Sequence, residues 1–177
     1  PSTIFKYKLK NETNTYLLAW STTPWNKLAT PALAVNPDLN YVKVKPCLAI
    51  GAGKQKDEFY ILAKDTLKIL TETPNYEIVE TFKGKDLERY EFELHYDFYS
   101  DRKPGEKAGV VIADSYVTAQ DGTGVVTLAV YGEDDYRVMT AHNVQLVYHV
   151  DEEGKLNPEV KPWAGMFMLK VNPLVVE

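Results

Sequence analysis

The chain has 177 residues, 45% of them hydrophobic and 12% aromatic, enough to bury a sizeable core in one domain, and no break in composition divides residues 1–177 in two. A net charge of −5 argues against broad, sequence-blind nucleic-acid binding, which depends on many Lys and Arg side chains neutralising phosphates. No apolar run approaches the ~20 residues of a membrane span and no basic-plus-apolar leader is present, so a soluble domain is expected; the single Cys47 allows no internal disulfide and fits a reducing cytosol.

In chain order, residues 4–9 and 16–19 read as two strands around the turn signal Asn11-Glu12-Thr13-Asn14, a hairpin that delivers Ser21, Thr22 and Thr23 at its far end. Pro31 and Pro37 bracket a short apolar segment, after which residues 41–44 alternate as a half-buried strand does. Gly51-Ala52-Gly53-Lys54 lacks the Gly-Lys-Ser/Thr ending of a phosphate-binding loop and reads as a hairpin turn. Residues 59–62 predict another strand, and 64–72 a helix with Leu67 and Leu70 facing in and Pro74 stopping it. Residues 76–82 alternate again, 84–87 make a turn with helical character, and the polar stretch 97–107 is expected to be a mobile loop.

Residues 110–113 and 116–118 lead through Asp121 into Gly122-Thr123-Gly124, a strand over 125–130, a turn at Gly132 and a helix over 134–142. A strand over 144–150, a hairpin turn at 151–155 and a last strand over 167–171 complete the pattern. Many short strands with few helices predict a mixed, β-rich fold: a β-barrel-like core with a few peripheral helices.

Two stretches carry chemistry. Leu17-Leu18-Ala19-Trp20-Ser21-Thr22-Thr23-Pro24-Trp25 places three consecutive hydroxyls at the end of an apolar strand. About a hundred residues on, Gly122-Thr123-Gly124 opens a strand that turns into a helix whose first turn holds Glu133, Asp134 and Asp135. Taken alone, those acids cap a helix and complement its dipole, each contributing about 0.3–1 kcal/mol. A strand running into a helix amino terminus also exposes backbone N–H groups that hold a polar ligand.

Together the two stretches resemble the editing domain (CP1, connective peptide 1) inserted into isoleucyl-tRNA synthetases, class I aminoacyl-tRNA synthetases. The shared pattern is a Trp, three hydroxyl residues, Pro and Trp, then a segment like Pro31-Ala32-Leu33-Ala34-Val35-Asn36-Pro37-Asp38, and later Gly-Thr-Gly with Gly-x-Asp-Asp-Tyr. The resemblance runs from about Tyr16 to Trp163-Ala164-Gly165-Met166-Phe167 and Asn172-Pro173. Valyl and leucyl relatives resemble it less, because they usually follow the hydroxyls with Arg-Pro.

The resemblance implies a single excised insert of a larger cytoplasmic synthetase that deacylates mischarged Val-tRNA(Ile). Its partners would be the 3′ end of aminoacylated tRNA(Ile) and the remainder of the synthetase, with weak nucleic-acid binding when isolated. No cofactor is expected in this domain, since ATP and Mg belong to the synthetic domain. Asp135 would take the substrate α-ammonium, while Thr22 and Thr23 would position the water and the reacting carbonyl. Substrate contacts would come from Trp20, Ser21, Gly122, Thr123, Gly124, Thr127, Tyr131 and Asp134; Gly122 to Gly124 would let the strand approach the terminal adenosine, and Trp20 and Trp25 would pack around the strand end. For this family the established benchmark is a preference for Ile over Val of only about 150-fold, because one methylene contributes ~1–3 kcal/mol, so a second sieve raises accuracy.

Other chemistries find less support in the residues. None of His95, His142 and His149 sits in a nucleophile motif, and one Cys with scattered His offers no zinc spacing. An aminoacyl ester is already activated, so a held water and a stabilised oxyanion suffice. The chain departs from the family in having Thr127 where a His is usual, Leu128 and Ala129-Val130 in place of the following segment with Ala-Pro, and Lys27-Leu28-Ala29-Thr30 in place of a segment with Leu-Pro and Asn. If the His walls the pocket against isoleucine, Thr127 leaves room unless Tyr131 or Leu128 fills it. Two alternatives to the hydrolytic domain therefore stay open: an inactive editing-like insert acting as a steric or tRNA 3′-end docking module, and a β-barrel binding domain unrelated to tRNA.

Overall fold

The computed structural model describes residues 2–47, 57–70 and 75–176. The expected turn at Gly51 to Lys54 lies outside the described residues, as does the expected stop at Pro74. The chain opens with β1 (Thr3–Lys8), β2 (Thr15–Ser21), a 3-10 helix (Pro24–Ala29), β3 (Ala32–Val35) and β4 (Asn40–Pro46). It continues through β5 (Phe59–Ala63), a 3-10 helix (Lys64–Ile69), β6 (Tyr76–Lys83), a 3-10 turn (Gly84–Leu87), β7 (Val110–Ala113) and β8 (Val125–Thr127). Two helices, α1 (Glu133–Ala141) and α2 (Met168–Val176), follow it, with a short 3-10 turn (Lys161–Trp163) between them.

The strands form one sheet in the order β6-β4-β5-β2-β8-β3-β7, with β1 paired to β2. β1 and β2 are the expected antiparallel hairpin, in register from Thr3 opposite Ser21 to Lys8 opposite Tyr16. β5 and β8 share the other edge of β2: β5 runs parallel to its start at residues 15–17, and β8 parallel to its end, where Trp20 faces Val126. The ring then closes through an irregular segment. Phe92 bridges to Leu9 beyond β1, Glu91 bridges to Val110 of β7, and the Arg89 N–H donates to the Val111 carbonyl. The barrel-like core expected from the strand pattern is thus present, and its interior is filled by Phe5, Tyr7, Leu17, Leu33, Tyr41, Ile61, Leu87, Phe92 and Val125. A second cluster outside the sheet, built on Ala34, Ile112, Leu128, Val138 and Met139, receives α1.

Several elements differ from the sequence expectation, each for a physical reason. Among the described residues, 144–150 make only terminal bridges, Val144 to Lys107 and Val150 to Leu156, because no continuous strand there lies alongside them; Gln145 instead sends its amide to the Tyr99 carbonyl. The apolar stretch expected as a final strand is α2, which runs through Pro173. Its helical spacing buries Val171 and Val175 together against Leu28, Leu156 and Val160, and this packing overrides its β-branched composition. Residues 64–69 form a 3-10 helix in which Thr66 is the buried residue, while Leu67 and Leu70 pack half-buried on the outer face. β6 lies at the sheet edge, pairs only with β4 and exposes Ile78 and Val79. The expected strand at 125–130 ends at Thr127, because the Ala129 N–H that would extend it donates to the Asp135 carboxylate instead.

Tyr41 ties the barrel to the glycine-rich approach. Its hydroxyl donates to the Gly124 carbonyl at 2.6 Å and accepts the Asn36 N–H at 2.9 Å, and burial pushes the phenol pKa up to about 12. Removing the hydroxyl leaves two backbone groups unpaired. Tyr41→Phe is therefore expected to cost about 1–3 kcal/mol in urea unfolding, and an unchanged midpoint would show that these backbone groups find other partners.

Candidate functional site

The parallel pairing of β2 with β8 brings the two sequence stretches to the same end of the sheet. Gly122 stands against the indole of Trp20: a Cβ built there would lie 2.6 Å from Trp20 Cγ, and its φ of +72° is itself one that favours glycine. Thr123 is fully buried, and its hydroxyl bonds within the turn to the Val125 backbone. The Thr123 carbonyl accepts from the Ala63 N–H at 2.8 Å, which fastens this approach to the end of β5. Gly122, Thr123 and Gly124 therefore set the path of β8.

The three hydroxyls at the end of β2 are not equivalent. Ser21 is buried and its Oγ accepts the Thr23 N–H at 3.1 Å. Thr23 is half-buried, and its Oγ1 accepts from Asn26 Nδ2 at 2.8 Å while its own proton stays free to donate. Thr22 is exposed, and its hydroxyl bonds to no protein group among the described residues. The 3-10 helix that follows is pinned by α2: the Trp25 N–H donates to Asn172 Oδ1 at 3.0 Å and Lys27 Nζ to the Val175 carbonyl at 2.8 Å.

At the second stretch the paired acids part. Asp134 is exposed and faces Arg137 at 3.7 Å, and Arg137 also reaches Asp114. Asp135 turns back, with Oδ2 accepting the Ala129 N–H at 3.1 Å and Oδ1 accepting the Tyr116 hydroxyl at 3.0 Å. Burial raises its pKa above the usual carboxyl value, the two hydrogen bonds opposing the rise and Asp134 adding to it. Among the described residues no cation pairs with it. A carboxylate offers about four acceptor positions, so room remains for a cationic N–H donor. Thr127 is half-buried, whereas Leu128 is fully buried in the second cluster.

Across the site end, the Tyr131 ring lies 5.5 Å from Trp25, and Trp25 lies 5.3 Å from His149. His149 is fully buried, and burial pushes its pKa down to about 4, the Trp25 backbone partly offsetting this although Nε2 makes no hydrogen bond of normal geometry. The sequence pattern gave no hint of Asn26, Tyr116 or His149 as site neighbours. Tyr116 and His149 act on residues that only the fold brings near, 19 and 18 positions away, whereas Asn26 acts on Thr23 three positions before it. Among the described residues, no group of three His, Cys, Asp or Glu is placed to hold a metal, and no helix is long and apolar enough to cross a membrane.

No protein-family profile matches the chain. Over 173 residues, 97% of its length, it is 40% identical to an isoleucine-tRNA ligase of Clostridium tetani. Over 177 residues, 99% of its length, it is 34% identical to one of Picrophilus torridus. The chain spans 15% and 16% of these two relatives. Among solved structures, the editing domain of the P. knowlesi cytosolic leucyl-tRNA synthetase superposes with a TM-score of 0.69 at 13% identity, covering 98% of this chain and 91% of that one. GlLeuRS-CP1 gives 0.66 at 13% identity over 99% and 93%. At that identity the likeness concerns the fold, and it agrees with the resemblance read from the sequence.

The raised pKa of Asp135 carries a sign that can be tested. The folded state penalises the ionised carboxylate, so this penalty is absent below the ordinary carboxyl pKa of 3.8, grows as the pH rises through the raised folded value, and is constant above it. Asp135→Asn keeps an acceptor for Ala129 and a donor for Tyr116. It is therefore expected to gain on the parent as the pH rises from 3.8 to 7, ending equal or more stable by up to ~1 kcal/mol. Denaturation series across that pH range measure this, and a gap that widens in favour of the parent contradicts it.

Proposed function

We propose, from the chain's likeness in sequence to isoleucine-tRNA ligases and in fold to leucyl-tRNA synthetase editing domains, that it is a hydrolytic proofreading module of a class I aminoacyl-tRNA synthetase that removes valine from mischarged Val-tRNA(Ile). The observation that carries this is one juxtaposition. Asp135, a half-buried carboxylate with no cationic partner among the described residues, shares the end of the β2–β8 pair with Thr22, whose hydroxyl bonds to none of them, and with the partly engaged Thr23.

The substrate supplies what this site lacks. An aminoacyl ester carries an α-ammonium, and that cation relieves the unfavourable environment of Asp135 by pairing with its remaining acceptor positions. With the amino acid fixed there, Thr22 and Thr23 hold the water and the ester carbonyl. Water attacks the carbonyl carbon, the bond to the ribose oxygen breaks, that oxygen takes one of the water's protons, the other passes to solvent, and the amino acid leaves as its carboxylate. Positioning and hydrogen bonds to the developing oxyanion supply the rate. Thr123 has no surface to offer the terminal adenosine, so contact from that turn falls to Gly122 beside Trp20. The partners in this reading are the 3′ end of aminoacylated tRNA(Ile) and the rest of a cytoplasmic synthetase, whose synthetic domain would use ATP and Mg while this module uses no cofactor.

The test is deacylation of Val-tRNA(Ile) by the full-length synthetase carrying this segment. Asp135→Asn, which keeps both local hydrogen bonds but removes the charge, is expected to lower the rate on the order of 10²-fold while leaving aminoacylation in place and the fold no less stable. An unchanged rate removes Asp135 from the site. A wild-type enzyme that clears no aminoacyl ester favours a docking module over a hydrolase.

A further inference from the structure

The proofreading reading leaves open what excludes the larger amino acid, since Thr127 offers little bulk. Leu128, one candidate to replace it, is fully buried in the cluster under α1 and cannot line a pocket. Tyr131 remains 44% exposed, yet it is held. Its hydroxyl accepts the Val150 N–H at 3.0 Å and lies 3.3 Å from His149 Nδ1. With the ring proton of the neutral imidazole on Nε2, the hydroxyl accepts from Val150 and donates to Nδ1, so both of its bonds hold the ring.

His149 is 0% exposed and, among the described residues, its Nε2 has no hydrogen-bond partner of normal geometry, so the side-chain bond this buried ring makes there is the one to Tyr131. The Tyr131 ring is further bounded by Trp25 at 5.5 Å and His149 at 5.6 Å. The neighbouring Tyr148 ring, 54% exposed, has no hydroxyl partner among the described residues and is not fixed in this way.

Tyr131 also links the two stretches of the proposed site. It is two residues past Ala129, whose N–H binds Asp135, and its ring touches Trp25, two residues past Thr23. Its exposed ring is thus joined both to the turn that carries Asp135 and to the segment that follows the hydroxyl run. We propose that Tyr131 is the size-limiting wall of the amino-acid pocket, and that His149 is a positioning residue that clamps the Tyr131 ring and keeps it from yielding to a larger side chain. This rests on the editing reading above and adds which residues set its selectivity.

The experiment compares kcat/KM for deacylation of Val-tRNA(Ile) and Ile-tRNA(Ile) by the full-length synthetase and its variants, with thermal melting alongside. The parent is expected to favour the valyl ester on the order of 10- to 200-fold, the range one methylene allows. Tyr131→Ala should bring the two esters within about threefold, mainly by raising the isoleucyl rate. Tyr131→Phe, which keeps the ring but cuts both hydroxyl bonds, and His149→Leu should lose part of the preference. His149→Asn, whose Oδ1 can take the place of the Nδ1 acceptor, should restore it, a rescue that a merely structural histidine does not predict. If His149→Leu fails to fold, Tyr131→Phe alone decides the clamp. Parental selectivity in Tyr131→Ala, or a parent that clears both esters equally, overturns this inference and leaves the editing reading standing. A parent that clears neither ester removes the editing reading and this inference with it.

Discussion

The parallel pairing of β2 with β8 is the constraint on which the site depends. Two strands that run parallel deliver their following segments to the same end of the sheet, and here those segments are the hydroxyl run and the turn into α1. The pairing is short, Trp20 against Val126, and it is held from outside the ladder. Gly122 allows the Trp20 indole to lie against the backbone, Ala63 binds the Thr123 carbonyl, and Tyr41 binds the Gly124 carbonyl. Each of these contacts fixes the approach to β8 more than it fixes β8 itself. The strand can therefore end after three residues without losing its aim.

Where β8 ends, one carboxylate serves two purposes. Asp135 takes the Ala129 N–H out of the ladder, which creates the turn, and it faces inward because the Tyr116 hydroxyl waits there. The electrostatic outcome is a charge held at a cost. Burial, with Asp134 beside it, works against its ionised form and leaves its pKa raised despite the two hydrogen bonds. Asp134, beside it in sequence, spends its charge on exposed Arg137 and adds to the difficulty of Asp135. A site that penalises its own anion in this way gains from a bound cation.

The far end of the chain reaches the same site indirectly. α2 packs Val171 and Val175 on Leu28 and presents Asn172 to the Trp25 N–H, so the segment after the hydroxyl run is fixed by residues 147 positions later. His149 and Val150 hold Tyr131 from another irregular stretch. The barrel supplies the direction of the hydroxyl run, and these peripheral segments supply its rigidity.

The sequence by itself determined the local elements whose signals are local. The β1–β2 hairpin, the turn at Gly132, the nine residues of α1 and the β-rich barrel all follow from strand periodicity, turn residues and an acidic helix start. The hydroxyl run and the acid pair were legible as motifs for the same reason. Tertiary structure decided the rest. It made residues 168–176 a helix although Pro173 and β-branched residues argue otherwise, because a helix aligns Val171 with Val175 on one apolar surface. It denied residues 144–150 a ladder, since a strand exists only beside a partner. It also separated Asp134 from Asp135, freed Thr22 while engaging Thr23, buried Leu128 and clamped Tyr131. Burial and hydrogen-bond partners are properties of what folds alongside a residue, and no spacing along the chain encodes them.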